Sequence, residues 1–213
     1  MIIFIFGDSI TQGYWDADGG WADKIRARVM KRDIDEDFRY YHGVHNLGID
    51  GNVTRQVIDR FDNEVDARLW RNSEYGFIFA IGTNDTAHRN DITPEANSAN
   101  YSQQIKKLYT KASQYSSNIA FVNLLPVDES LTNPLPISST GKCFTNDHIE
   151  FFNDKLNSTC KELNVEIIDA RSKYLKTDYT SLFKDGLHPN HQGHSLIFDS
   201  VFPVIESWLY PES

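Results

Sequence analysis

The chain has 213 residues, with 21 basic against 30 acidic side chains and a formal net charge of −9. Domains run to roughly 150 residues, so this length predicts one domain over residues 1–213, able to bury roughly 70% of its unfolded surface without staples. A 40% hydrophobic and 24% charged composition excludes disorder, the acidic balance argues against binding nucleic acid, and two cysteines, Cys143 and Cys160, cannot make a disulfide framework.

The N-terminus, MIIFIFGDS, is apolar only through Phe6 and carries no basic flank, so it reads as a buried strand over residues 2–6 and not as a secretory leader. No apolar run approaches the ~20 residues that span a bilayer. These features predict a cytoplasmic protein with no stable membrane association.

Gly7-Asp8-Ser9-Ile10-Thr11 follows the first strand. A serine there can project its hydroxyl into a cleft; alone, Gly-Asp-Ser reads equally as a turn. It is not the G-x-S-x-G elbow, because position 11 is Thr. A helix over 21–32 and a strand over 38–46 come next. The stretch from Asn46 through Gly48 and Gly51 to Asn52 then offers a glycine N–H for close approach, or a turn capped by Asn52 or Thr54. In the helix over 54–71, Val57, Ile58, Phe61, Val65 and Leu69 make one apolar face. The strand over 76–81 leads to Gly82-Thr83-Asn84-Asp85, where Asn84 is either an Asx turn or an amide donor to a developing oxyanion.

A helix over 94–115 and a strand over 119–125 follow. Residues 126–145, with Pro126, Pro134 and Pro136, are long for a connection. A helix over 146–163 and a strand over 165–169 precede Asp185-Gly186-Leu187-His188-Pro189, in which Asp185 is placed to orient the His188 imidazole. The last helix covers 191–209, and Pro203 predicts a kink or break near Phe202.

Strands alternating with helices imply parallel pairing through right-handed crossovers, and near-continuously apolar strands imply helices on both sheet faces. The expected fold is three-layer α/β/α, with its site at the carboxyl ends of the strands. The four polar motifs lie just after strands and before the last helix. Together they supply a nucleophile, two oxyanion donors and a base with its orienting acid, the set that acyl transfer requires.

The sequence resembles the GDSL, or SGNH, hydrolases. Gly7-Asp8-Ser9 matches the first block, Asn46, Gly48 and Gly51 the second, Gly82-Thr83-Asn84-Asp85 the third, and Asp185, His188 and Pro189 the last. The blocks stand in family order from Gly7 to Pro189; residues 126–145 match none. The resemblance implies a flavodoxin-like parallel sheet of about five strands, order 2-1-3-4-5. It also implies a catalytic set of Ser9, Asp185 and His188, and an oxyanion hole made by the N–H groups of Ser9 and Gly48 and the Asn84 side chain. The implied activity is cleavage of small acyl or acetyl esters through an acyl-enzyme, with no cofactor and no metal. Acyl transfer by the same residues, or a non-catalytic α/β binding module, are the competing functions.

His188, His191 and His194 form an H-x-x-H-x-x-H run, but zinc spacings are usually wider and His188 already has a role. Tyr14 and Trp15 are candidates for a pocket wall, and Trp21 for packing the first helix into the core. His88 reads as a surface loop residue, and Cys143 and Cys160 as inert.

Overall fold

The computed structural model describes residues 1–89, 92–136 and 138–211. Five strands, β1 (Ile2–Gly7), β2 (Gly43–Gly48), β3 (Tyr75–Ala80), β4 (Ile119–Val122) and β5 (Glu166–Ile168), form one parallel sheet in the order β2-β1-β3-β4-β5. The register aligns Gly7 with both Gly48 and Ala80. The turns after β1, β2 and β3 therefore emerge side by side at one edge.

The pleat sorts the core by residue type. On one face Phe4, Phe6, Phe77, Phe79 and Phe121 pack against α3 (Thr54–Asp66), α5 (Tyr101–Ala112) and α7 (Asn146–Leu163), with Phe61 of α3 stacked on Phe6 at 5.2 Å. On the other, Ile3, Ile5, Ile78 and Val122 pack against α2 (Gly20–Asp35) and α9 (His191–Leu209). Trp21 is fully buried there, as its sequence position predicts. Each buried Phe or Ile contributes about 1.5–3 kcal/mol by leaving water, which is why strands without polar faces hold the central layer.

Short helices fill the connections: α1 (Ser9–Gln12), α4 (Pro94–Asn97), α6 (Glu129–Thr132) and α8 (Arg171–Leu175). The helix expected over 94–115 is two helices, because Thr93 caps α4 and the chain turns at Ser98 before α5. The strand expected over 38–46 begins only at Gly43, since α2 runs on to Asp35 and Asp37 and Phe38 take left-handed backbone angles of 52° and 58°. β4 stops at Val122, where the Asn153 side chain replaces the ladder by bonding Leu124 N–H at 2.8 Å and Leu124 O at 3.0 Å. Of the kink or break expected near Phe202, the break does not occur. Pro203 sits inside a continuous α9, whose Val201, Phe202, Ile205 and Leu209 are buried against the sheet and hold the helix across the missing hydrogen bond. No helix among the described residues is long and apolar enough to cross a membrane.

Candidate active site

Ser9 is the first residue of α1, immediately past β1, and is 4% exposed. Asp8 caps this helix, its carboxylate accepting the Ile10 N–H at 2.9 Å. Burial pushes the Asp8 carboxyl up to about 7, against the opposing pull of that N–H and of His188. The end of β2 meets the Ser9 turn backbone to backbone. A Cβ on Gly48 would stand 2.2 Å from Gln12 N and 2.8 Å from Asp8 O, so only glycine fits. Arg60 of α3 ties these strand ends together, donating to Leu47 O at 2.6 Å and Gly7 O at 3.2 Å.

His188 and Asp185 come from a tight turn between the 3₁₀ helix Tyr179–Leu182 and α9. The Lys184 N–H to His188 O bond (2.9 Å) and a Phe183–Pro189 bridge close that turn. His188 Nε2 lies 2.9 Å from Ser9 Oγ, and His188 Nδ1 lies 2.7 Å from Asp185 Oδ2. Asp185 Oδ1 accepts the backbone N–H groups of His188 (2.8 Å) and Leu187 (3.1 Å). Burial raises the Asp185 carboxyl, but His188 and these N–H donors outweigh it and hold the acid well below its ordinary range. It therefore stays ionised, fixes the imidazole with its proton on Nδ1, and leaves Nε2 as acceptor toward Ser9.

A donor that sequence reasoning missed also reaches Asp185. Trp15 takes a left-handed φ of 65°, uncommon for a bulky residue, and its indole Nε1 donates to Asp185 Oδ2 at 2.9 Å although the ring is 58% exposed. Tyr14 places its ring 5.8 Å from the His188 ring, so both aromatics border the His–Asp pair. Buried His194 lies with Nε2 3.3 Å from Tyr14 O, and burial pushes it down to about 4, so it is neutral. His191 turns instead to Asp16 at 3.2 Å and Asp18 at 3.4 Å. The three histidines of the run thus serve three different partners. Asp16, Asp18 and His191 lie close enough to share a cation, but Lys24 already places its ammonium 2.8 Å from Asp16.

On the other side of Ser9, Gly48 N–H donates to Asn46 Oδ1 at 3.1 Å, and Asn46 Nδ2 is anchored on Asp23 at 2.8 Å. Asn84 lies in the 3₁₀ turn Thr83–Thr86, with Nδ2 donating to Asn52 O at 3.2 Å. Neither Asn52 nor Thr54 caps α3. Asn52 Oδ1 accepts from Arg60, while the Thr54 N–H and hydroxyl both donate to Asp85 Oδ2, at 2.8 and 2.9 Å. Burial raises Asp85 to about 6 against those bonds, and the contact ties the third motif to the second. His88 is not a free surface residue: its ring stacks on His148 with centroids 3.5 Å apart. Cys160 is buried on α7, which pushes its thiol up to about 12.

All four motifs therefore meet at the carboxyl edge of the sheet, and residues 5–196 match the GDSL-like Lipase/Acylhydrolase family. The chain belongs to that family. It is a GDSL-type hydrolase acting on ester bonds. Over 96% of its length it is 29% identical to the GDSL esterase/lipase CPRD49 of Arabidopsis thaliana, covering 78% of that protein. It is 23% identical to the GDSL esterase/lipase WDL1 of Oryza sativa subsp. japonica over 96% of its length and 77% of the relative. Among solved structures, the lipase/acylhydrolase of Enterococcus faecalis superposes with a TM-score of 0.73 at 21% identity, over 100% of this chain and 98% of the other. The acetylxylan esterase Axe2 of Geobacillus stearothermophilus gives 0.68 at 19%, over 96% and 93%. These likenesses place the GDSL hydrolase fold on this chain, with the sheet order and two helical layers described above.

Proposed function

We propose that this GDSL hydrolase cleaves small acyl or acetyl esters by a serine mechanism, with Ser9 as nucleophile, His188 as base and Asp185 as the acid that orients it. The observation that carries the reading is the hydrogen-bonded line from Ser9 Oγ through His188 to Asp185, at 2.9 and 2.7 Å, closed between residues 179 positions apart. Ser9 Oγ attacks the ester carbonyl as its proton passes to His188 Nε2. The tetrahedral oxyanion accepts from the N–H groups of Ser9 and Gly48 and from the Asn84 amide. His188 then gives its proton to the leaving alcohol, and water repeats the sequence on the acyl-enzyme. Asp185 stays ionised throughout and stabilises the imidazolium.

Asn84 and Asp85 border a groove of about 340 Å³ whose lining includes Asn97, Asn100 and Gln104. The same groove carries Val53, Ala87 and Phe152 and does not include Ser9 or His188; small soluble esters, acetylated sugars included, are the proposed substrates. One domain carries this site, and the cytoplasm is its proposed compartment.

Intact-protein mass after a fluorophosphonate probe tests the mechanism. A single adduct that peptide mapping places on Ser9, absent from Ser9→Ala, is expected, followed by turnover on a panel of short esters. A folded wild-type protein that takes no adduct, or takes it elsewhere, overturns the assignment.

A further inference from the structure

Residues 126–145 match none of the four motif blocks, yet they brace two of them. The start of the segment holds the His188 turn: Asp128 N–H donates to Gly186 O at 2.8 Å, and a Cβ on Gly186 would stand 2.7 Å from Leu131 Cβ. Its end holds the Asn84 turn through an antiparallel bridge between His88 and Cys143, with N–H to O distances of 3.1 and 2.8 Å. Residue 137 lies outside the described residues. Lys142 sits beside the bridge with its backbone fixed on both sides, N–H to Ser138 Oγ at 3.0 Å and carbonyl to Leu135 N–H at 2.9 Å. Its ammonium lies 4.9 Å from the Phe144 ring centre and donates to Asn84 Oδ1 at 3.3 Å.

That contact decides which way the Asn84 amide points. An ammonium has only donors, so it selects Oδ1; the Asn52 carbonyl only accepts, so it selects Nδ2 at 3.2 Å. The two neighbours agree. A flipped amide would set NH₂ against NH₃⁺ and oxygen against oxygen. With the orientation fixed, one N–H of Nδ2 serves Asn52 and the second is left for the reacting oxygen. A cation at Oδ1 also polarises the amide and strengthens that second donor.

We propose that Lys142 is a positioning residue of the reaction, its ammonium locking the Asn84 carboxamide in the orientation that donates to the oxyanion. The inference rests on the reading of Asn84 as an oxyanion donor. Lys142 acts through Asn84 and not on the substrate, so its loss falls on kcat and spares KM.

A double-mutant cycle on the full chain with p-nitrophenyl acetate tests this. Asn84→Ala should lose ~10²–10³ in kcat. Lys142→Met should lose about tenfold with KM held within about twofold, and the double variant should be no slower than Asn84→Ala alone. Lys142→Arg, which keeps the cation, should stay within about threefold of wild type. Wild-type turnover by Lys142→Met overturns the proposal, and so does a loss that recurs in full on the Asn84→Ala background. Wild-type turnover by Asn84→Ala overturns instead the oxyanion assignment on which it rests. If Lys142→Met fails to fold by circular dichroism, Lys142→Leu, which also removes both charge and donor, takes its place in the cycle, and the same outcomes support or overturn the proposal.

Discussion

Ser9, His188 and Asp185 stand on one line of hydrogen bonds at 2.9 and 2.7 Å, whereas the donors on the far side of Ser9 are engaged with neutral acceptors of the protein itself. Gly48 N–H gives to the Asn46 amide at 3.1 Å, and Asn84 Nδ2 to the Asn52 carbonyl at 3.2 Å. In the proposed mechanism the first half needs no rearrangement before the attack. When the oxyanion forms, the Gly48 N–H must exchange or share its partner, while Asn84 Nδ2 brings its second N–H. A charged acceptor makes hydrogen bonds roughly twice as strong as a neutral one, so the exchange favours the tetrahedral state over the ester carbonyl. An interaction gained only there lowers the barrier without tightening ground-state binding.

This contrast breaks first at the nucleophile line. Ser9→Ala and Asp185→Asn should each lower kcat by ~10⁴ or more with the fold intact, the second because the amide no longer sets the His188 tautomer. Steady-state rates with circular dichroism check this, and an Asp185→Asn enzyme within about tenfold of wild type would remove Asp185 from the line.

Beneath the nucleophile, Asp8 sharpens the same half through stability. Burial pushes its folded carboxyl up to about 7 against 3.8 for the free group, so the fold favours the protonated acid. Below about pH 4 both states hold the proton. As pH rises toward 7 the unfolded chain ionises first, so the stability that the protonated group contributes is lost. Asp8→Asn keeps the acceptor for Ile10 N–H and cannot ionise. Its urea midpoint should therefore gain on wild type between about pH 4 and 7 and hold that gain above, and a difference independent of pH would contradict the buried carboxyl.

On the oxyanion side Asn84→Ala should cost about 3 kcal/mol of transition-state stabilisation, visible in kcat and not in KM. A rise in KM alone would make Asn84 a ground-state binder and erase the contrast. The smallest effect belongs to Trp15. Trp15→Phe keeps the ring and deletes one donor to Asp185, at about 1 kcal/mol or about fivefold in kcat. An unchanged rate would show that the remaining donors to Asp185 suffice.

The Ser9–His188–Asp185 line is legible in the sequence because its parts are short motifs, one just after the first strand and one just before the last helix. The layers are legible too, since β1 is apolar throughout and α3 carries one apolar face. What escapes is every contact made between distant segments by side chains of ordinary type. Asn46 holds the Gly48 N–H only because Asp23, on another element, holds Asn46. Lys142 reaches Asn84 only because the bridge at His88 aims it there. Trp15 reaches Asp185 through a backbone angle that no residue pattern announces. The second strand starts later than its sequence suggests because Phe38, Tyr40 and Tyr41 look like strand, while the Asp33 carboxylate folds that stretch back by bonding His42 N–H at 2.9 Å.

The Ser9–His188 bond closes a loop of nearly the whole chain, and α9, which starts two residues after Pro189, docks against α2, which starts shortly after Ser9. Ordering so long a loop carries a large entropy cost that no local segment can meet by itself. The Ser9–His188 pair is therefore expected to form only once the final helix is seated. Recovery of fluorophosphonate reactivity during refolding would time that docking step, and partly folded chains would be chemically silent toward esters.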